Sequence, residues 1–430
     1  MKFTAAGDAI IQRRIQRDYI GYKELAPYIN QGDAKFFNLE TTLNCEGEVY
    51  GSQFSGGTYI RADPKVLYDL EKFGFNMTSF NNNHALDFSY GGLEDTLDAL
   101  NKSNFIHAGV GRNLAMASAP RYLETESGRV ALISVNTSFD PTLPAGPDNG
   151  RFQGRPGING IRIREKLTVT DEELCFIERL AKGLKINMGK EIARNEGYLE
   201  RLDGSYTELG DLRFYRGERV ERRLEVNEID MARVEKAIYE ARFGADYIMI
   251  SVHSHQIEGE SKEDVPLFLS SLAHRCIDLG ADAVVGHGPH LLRPIEVYKQ
   301  KPIFYSLGDF ILELYSVEIA PADFFEGQGI DRNDTVHALL KKRSRNFTVG
   351  LMEDKRMMES VIPFWETDGE NRLISLKLMP IELNRSGNKS QMGLPRRAVD
   401  LAFIERLADM SRPHGVTMEI EQDGIVSCKW

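Results

Sequence analysis

The side chains best suited to metal chemistry fall in five short stretches of the sequence. Asp8 ends GD at 7–8, and Glu40 ends NLE at 38–40. Asn83 and His84 lie in FNNNHALD at 80–87. His253 closes YIMISVH at 247–253, and His287 and His290 stand in GHGPH at 286–290. Each group follows a short apolar run of the kind that forms a buried strand. In α/β proteins the carboxyl ends of strands converge on the ligand site, so distant segments can deliver these side chains to one rim. Carboxylate, amide and imidazole groups are the O and N ligands that hard and borderline divalent cations take. A carboxylate such as Glu40 can bridge two cations, and two cations a few ångströms apart activate a water and stabilise a leaving oxygen. Taken singly, each stretch has an ordinary explanation. GD suits a turn, Glu40 could cap a helix, and a histidine closing an apolar strand is commonly a hydrogen-bonded core residue. GHGPH is stronger, because two histidines three apart in a Gly/Pro loop suit coordination. The combination, always at strand ends, carries the prediction. Glycines 7, 286 and 288 are expected to let the backbone turn sharply so that the ligands reach inward.

The elements that must position these groups alternate along the chain. Strands are expected at 2–6, 34–39, 75–80, 129–135, 247–252, 282–285 and 302–306. Asp63 and Pro64 mark a helix start and Gly74 its stop, bracketing PKVLYDLEKF. Further helices are expected at 92–102, 229–243 and 266–279, the last two stopped by Gly244 and Gly280. Residues 140–157 are rich in Pro and Gly and read as a loop. Residues 150–228 read as a charged, mainly helical insertion, with helices at 171–184 and 191–202, serving as a substrate lid or a surface excursion. Residues 360–430 supply strands (372–381), a helix (398–410) and a hairpin turning at Asp423-Gly424 that complete one 1–430 unit.

Composition bounds the rest. With 53 basic and 64 acidic residues the net charge is −11, which disfavours nucleic acid as a partner. The four cysteines, 45, 175, 276 and 428, lack CxxC spacing and read as free thiols of a reducing compartment. There is no run of eighteen apolar residues and no signal-peptide pattern, so neither a membrane span nor export is expected, and the chain reads as cytoplasmic. The oligomeric state is open, a homo-oligomer included.

These segments resemble the bacterial capsule-synthesis CapA family, associated with poly-γ-glutamate production, within the calcineurin-like metallophosphoesterase superfamily. The matching pieces are GD, NLETT (38–42), NNNHALD (81–87), HAGVGRN (107–113), SVHSH (251–255), GADAVVGHGPHLLRPIE (280–296) and KPIFYSLGDF (301–310). SLKLMPIELN and GLPRRA further on are similar too, while the middle insertion and much of 311–360 are not. The resemblance implies an α/β fold in which two mixed β-sheets pack as a sandwich flanked by helices. It also implies two divalent cations (Mn, Fe or Zn). By position, Asp8 would bind the first, Glu40 would bridge, Asn83, His253 and His287 would bind the second, and His290 would complete the first. His84 would protonate a leaving group or orient substrate. The superfamily usually opens with DxH, whereas Ala9 and Ile10 follow Asp8 here, so the first cation lacks an obvious ligand. Where many relatives read HxG and GNF, His255 is a candidate extra ligand or acid and Asp309 adds a carboxylate near the rim; both are also candidates for substrate binding. Arg61, Arg112 and Arg293 are candidates to orient an anionic substrate. The first reading is a metal-dependent hydrolase in which a dimetal-activated water attacks a phosphoester; the alternatives are a non-hydrolytic role in poly-γ-glutamate or capsule assembly and hydrolysis of a γ-glutamyl or cyclic amide by the same metals. The substrate would be a small molecule or polymer, anionic in each case.

Overall fold

The computed structural model describes residues 1–44, 49–385 and 388–430. Its centre is a pair of mixed sheets. The larger runs in the order 417–420, 426–429, 373–383, 359–367, 2–10, 34–39, 77–79 and 106–108; strand 309–312 also pairs with 2–10, and 395–397 pairs with 373–383. The N-terminal strands are parallel, and the C-terminal ones join antiparallel to Lys2–Ile10. The smaller sheet runs 295–298, 301–304, 283–287, 247–253, 128–136 and 121–125, with its four central strands parallel.

Strand periodicity explains the layering. Successive side chains point to opposite faces. Phe36 therefore packs between the sheets with Phe3, Met77, Leu132, Met249 and Trp365. Its neighbour Phe37 packs outward against the helices Val66–Phe73 and Ser89–Lys102 through Phe73, Leu97 and Leu100. Likewise Tyr247 and Met249 face the other sheet, while Ile248 and Ile250 face the helices Glu228–Gly244 and Leu267–Asp278. The result is helix, sheet, sheet, helix, as the resemblance implied. Strands covered on both faces read as unbroken apolar runs, which is why YIMISV and RVALISV stand out in the sequence. Between the sheets Phe3 stacks on Tyr247 at 4.0 Å between centroids, and Trp365 Nε1 donates to Tyr247 Oη at 3.0 Å.

The first strand is longer than expected, Lys2–Ile10, and Asp8 lies inside it rather than beyond it. Its register slips against 34–39 between Ala5 and Asp8, and against 309–312 between Asp8 and Ala9. Such bulges re-aim a side chain at a site. Gly7 has a different role from the sharp turn expected. A Cβ there would lie 1.7 Å from the Gly308 carbonyl oxygen, and at Gly286 a Cβ would lie 2.4 Å from Tyr305 O. Both glycines admit another backbone; only Gly288, with φ of 117°, has the turning role. Gly7→Ala should therefore push strand 309–312 away from Asp8. We expect loss of several degrees in unfolding midpoint together with loss of metal uptake, read by calorimetry and elemental analysis; an unchanged midpoint would refute the close-approach reading.

The insertion holds more than helices. Helix Asp171–Leu184 falls where expected, started by a capping box between Thr170 and Glu173. The second helix is Met188–Asn195, shorter and earlier than the sequence suggests. A four-stranded sheet of 206–209, 212–216, 163–169 and 221–226 is an addition to the expected helices. Its strands, such as ERRLEV, are mostly polar and cover only a small core of Val169, Leu174 and Ile177. The C-terminal hairpin (Thr417–Ile420 with Val426–Lys429) and helix Phe403–Ser411 follow the expectation. Cys175, Cys276 and Cys428 are free; Cys45 lies outside the described residues. Among the described residues no helix is long and apolar enough to cross a membrane.

Candidate metal centre

The two sheets bring their polar strand ends together. His253 and His287 are cross-strand partners on the neighbouring parallel strands 247–253 and 283–287. Asp8 and Asp309 are partners on 2–10 and 309–312. Three overlapping groups of potential ligands result: Asp8 with His253 and His287, Glu40 with His253 and His255, and Asp8 with His290 and Asp309. Within each group one ligand atom per residue lies within 4.8 Å of the others. Six residues singled out from sequence (Asp8, Glu40, Asn83, His253, His287 and His290) thus meet at one locus, with His84 beside them.

The contacts are specific. Asp8 Oδ1 accepts from Asn38 Nδ2 at 2.7 Å, and Oδ2 accepts from the Gly288 N–H at 2.8 Å. Asp8 Oδ1 lies 3.4 Å from His287 Nδ1 and 3.9 Å from His253 Nδ1. His253 Nε2 lies 2.7 Å from Asn83 Oδ1 and 2.9 Å from His255 Nε2. His287 Nε2 is 2.7 Å from Ser251 Oγ. His290, held at a φ of 62°, places Nδ1 3.0 Å from Asp309 Oδ1. His84 Nδ1 lies 2.7 Å from Asp87 Oδ2, and its Nε2 is 3.9 Å from Glu40 Oε1.

Two assignments change. The resemblance groups His287 with Asn83 and His253; in the structure it also faces Asp8, whose carboxylate it nearly touches. Asp309, expected as a rim carboxylate, stands beside Asp8 and His290. Its strand runs parallel to the first, which no local motif reveals. Sequence reasoning also missed Asn38, Ser251 and Asp87. All three lie inside the quoted motifs, and the i,i+3 spacing from His84 to Asp87 is the available signal for Asp87.

The electrostatics are those of a site short of positive charge. Both oxygens of Glu40 and Oδ2 of Asp309 are fully buried with no hydrogen-bond partner among the described residues. Burial pushes the Glu40 carboxyl well above the usual range, and Asp8 and Asp309 push it further. Burial also raises Asp309, to about 6, against the pull of His290. Asp8 goes the other way: burial would raise it, but His287, His253 and His290 outweigh burial and hold it low. Burial holds His253 and His255 well below the usual imidazole value. Neutral imidazoles and bare carboxylates are the donor set for divalent cations, so the residues fit such ions.

The arginines are not gathered in the same way. Arg293 is fully buried and braces a loop, donating from Nε to Lys262 O at 2.8 Å and from Nη2 to Gln256 O at 2.9 Å. Arg112 is exposed and lies 3.7 Å from Asp98. Arg61 lines a neighbouring cavity of about 830 Å³, with its guanidinium 5.9 Å from the Phe88 ring centroid. A cleft of about 860 Å³ opens over the centre, with His84 and His290 in its lining. Its lining includes residues from 340–357 and none from 150–228.

Comparison with known proteins places these residues in a family. The sequence profile described as "Bacterial capsule synthesis protein PGA_cap" matches residues 2–313. An uncharacterized protein, y4sH, of Sinorhizobium fredii is 32% identical over 97% of this chain and 91% of its own length. "Capsule biosynthesis protein CapA" of Bacillus anthracis is 21% identical over 73% of this chain and 60% of its own. Among solved structures, a hypothetical protein from Thermus thermophilus superposes with a TM-score of 0.41 at 12% identity, covering 89% of this chain and 99% of that one. The chain belongs to the bacterial capsule synthesis protein PGA_cap family.

Proposed function

We propose that the protein is a metal-dependent hydrolase acting on a phosphoester at a two-cation centre. The observation that carries this reading is Glu40. Its carboxylate is buried, has no hydrogen-bond partner among the described residues, and is ringed by His253 at 3.7 Å, His84 at 3.9 Å and His255 at 4.0 Å. A buried carboxyl without hydrogen-bond partners is costly, either as an unpaired charge or through the proton it must take up, and a cation removes that cost. One cation would be held by Asp8, His290 and Asp309, and a second by Glu40, His253 and His255 with Asn83 Oδ1 in reach, while His287, grouped with Asp8 and His253, would serve as a ligand between the two sets. When bound, such ions acidify a water and neutralise the leaving oxygen. The chain's own groups do the rest. Asp87 accepts from His84 Nδ1–H and fixes the ring, leaving Nε2 to exchange a proton with the leaving group. Gly288 N–H and Asn38 hold Asp8 in its orientation.

The test is elemental analysis of wild type, Glu40→Ala and His287→Ala, followed by p-nitrophenyl phosphate and γ-glutamyl amides as substrates. Bound manganese, iron or zinc, lost in both variants and required for phosphate release, is the expected result. Amide cleavage without phosphate release would replace the phosphoester reading. No metal uptake at micromolar levels would leave a polymer-assembly role in its place.

A further inference from the structure

We infer that Arg343 and Lys262 form a cationic clamp for the anionic oxygens of the substrate's phosphoryl group, an inference that rests on the hydrolase reading above. Both line the cleft over the metal centre. They come from different elements. Lys262 sits on the loop that Arg293 braces. Arg343 is the last residue of helix Val336–Arg343, in a segment beyond the 2–313 match. The family profile therefore does not account for Arg343.

A chain of contacts ties Arg343 to the chemistry. Its Nη1 donates to Gly57 O at 3.0 Å. The adjoining Gly56 O accepts from Asn83 Nδ2 at 2.8 Å. Gly56 is pressed so closely on the site that a Cβ there would lie 2.6 Å from both Asn83 Nδ2 and the His84 ring. The guanidinium is thus anchored one residue from the strip of backbone against which His84 rests. On the other side of the cleft lining stand Lys262 and His290.

Neither cation has a carboxylate within 4.0 Å among the described residues. The other charges of the cleft wall are engaged: Arg356 Nη2 pairs with Asp354 at 2.7 Å, and Glu353 accepts from Tyr315 Oη at 2.5 Å. Of the lining carboxylates, only Glu260 has no side-chain partner among the described residues. Guanidinium and ammonium groups left without carboxylates beside a hydrolytic centre suit phosphoryl oxygens, with Arg giving a fork and Lys a point charge.

The experiment uses the full chain loaded with manganese, comparing wild type with Arg343→Ala, Lys262→Ala and Arg343→Lys. Inorganic phosphate is the calorimetric probe, and manganese content is measured on the same samples. Each alanine variant should weaken phosphate binding about ten-fold, the scale of one charge-assisted contact. Manganese content should stay unchanged, and KM for p-nitrophenyl phosphate should rise more than kcat falls. Arg343→Lys should recover part of the loss. Equal phosphate affinity in wild type and both alanine variants, with manganese bound, would overturn the clamp and leave the hydrolase reading standing. Failure of wild type to take up manganese would remove both.

Discussion

Manganese added to metal-stripped protein should raise its unfolding midpoint by several degrees, and Glu40→Gln should abolish that rise without destabilising the stripped protein. Asp8, Glu40 and Asp309 crowd one buried locus, and three of their oxygens have no hydrogen-bond partner among the described residues. Their mutual repulsion and lost hydration are a standing cost of the folded state. A ligand that binds only the native state stabilises it by about 4 kcal/mol at a thousand times its dissociation constant. In a chain of this size that corresponds to a few degrees or more. Glutamine keeps the shape of Glu40 and removes its charge. Because burial and the neighbouring carboxylates already favour the protonated form of Glu40, the amide resembles what the stripped protein holds. The variant should therefore melt at or above stripped wild type, while manganese no longer shifts it. Scanning calorimetry with and without manganese reads both effects. A full manganese shift in Glu40→Gln would show that Glu40 is not a ligand, and a large drop in the stripped midpoint would show that its role is structural.

How far the sequence reveals this centre depends on which contacts are local. His253, His287 and His290 close or follow apolar strands, and a strand end at a sheet rim is legible from composition alone. Asn83 and His84 follow another such strand, and the parallel order of 34–39, 77–79 and 106–108 delivers them to the same rim. For Asp8 the sequence indicates the right chemistry but the wrong backbone. A bulge inside a strand depends on what packs against it, here the Gly308 carbonyl, and no residue near position 8 announces that contact. Asp309 shows the same limit. Its partnership with Asp8 comes from strand 309–312 entering the sheet beside the first strand, a pairing across about three hundred residues. Arg293 fails in the opposite direction. An arginine among glycines, prolines and histidines suggests a substrate contact, yet two of its guanidinium nitrogens, Nε and Nη2, are taken by loop carbonyls. The insertion reads as helical from its charged stretches at 171–184 and 191–202, which are only weakly apolar. Its strands, largely exposed and rich in Arg and Glu, carry little hydrophobic signal. The cleft wall at 340–357 has neither periodicity nor a family match, so its place over the centre emerges only from the fold.

His84→Asn should lower kcat by about 10²- to 10⁴-fold on an alkyl phosphoester, the usual contribution of a positioned proton donor, with manganese content unchanged. His84 is nearly buried, lines the cleft, and is held from behind by Asp87 at 2.7 Å. Its Nε2 is the ring atom left for the substrate. Asparagine retains a polar side chain of similar reach but cannot give up a proton. The deficit should shrink on p-nitrophenyl phosphate, whose leaving group departs as a stable anion and needs no proton. That dependence on leaving group separates proton donation from metal binding, since loss of a ligand would depress both substrates alike. Asp87→Asn should fall between wild type and His84→Asn, because it loosens the ring without removing it. The effect of Asp87→Asn will include a loop contribution, as Asp87 also accepts from Gly56 N–H at 2.9 Å and Ile60 N–H at 3.0 Å. The cleaner comparison is therefore the ratio of the two substrates, which loop displacement leaves untouched and loss of the acid changes. Equal losses on both esters in His84→Asn would assign His84 to orienting the substrate and leave the leaving group's proton to come from water.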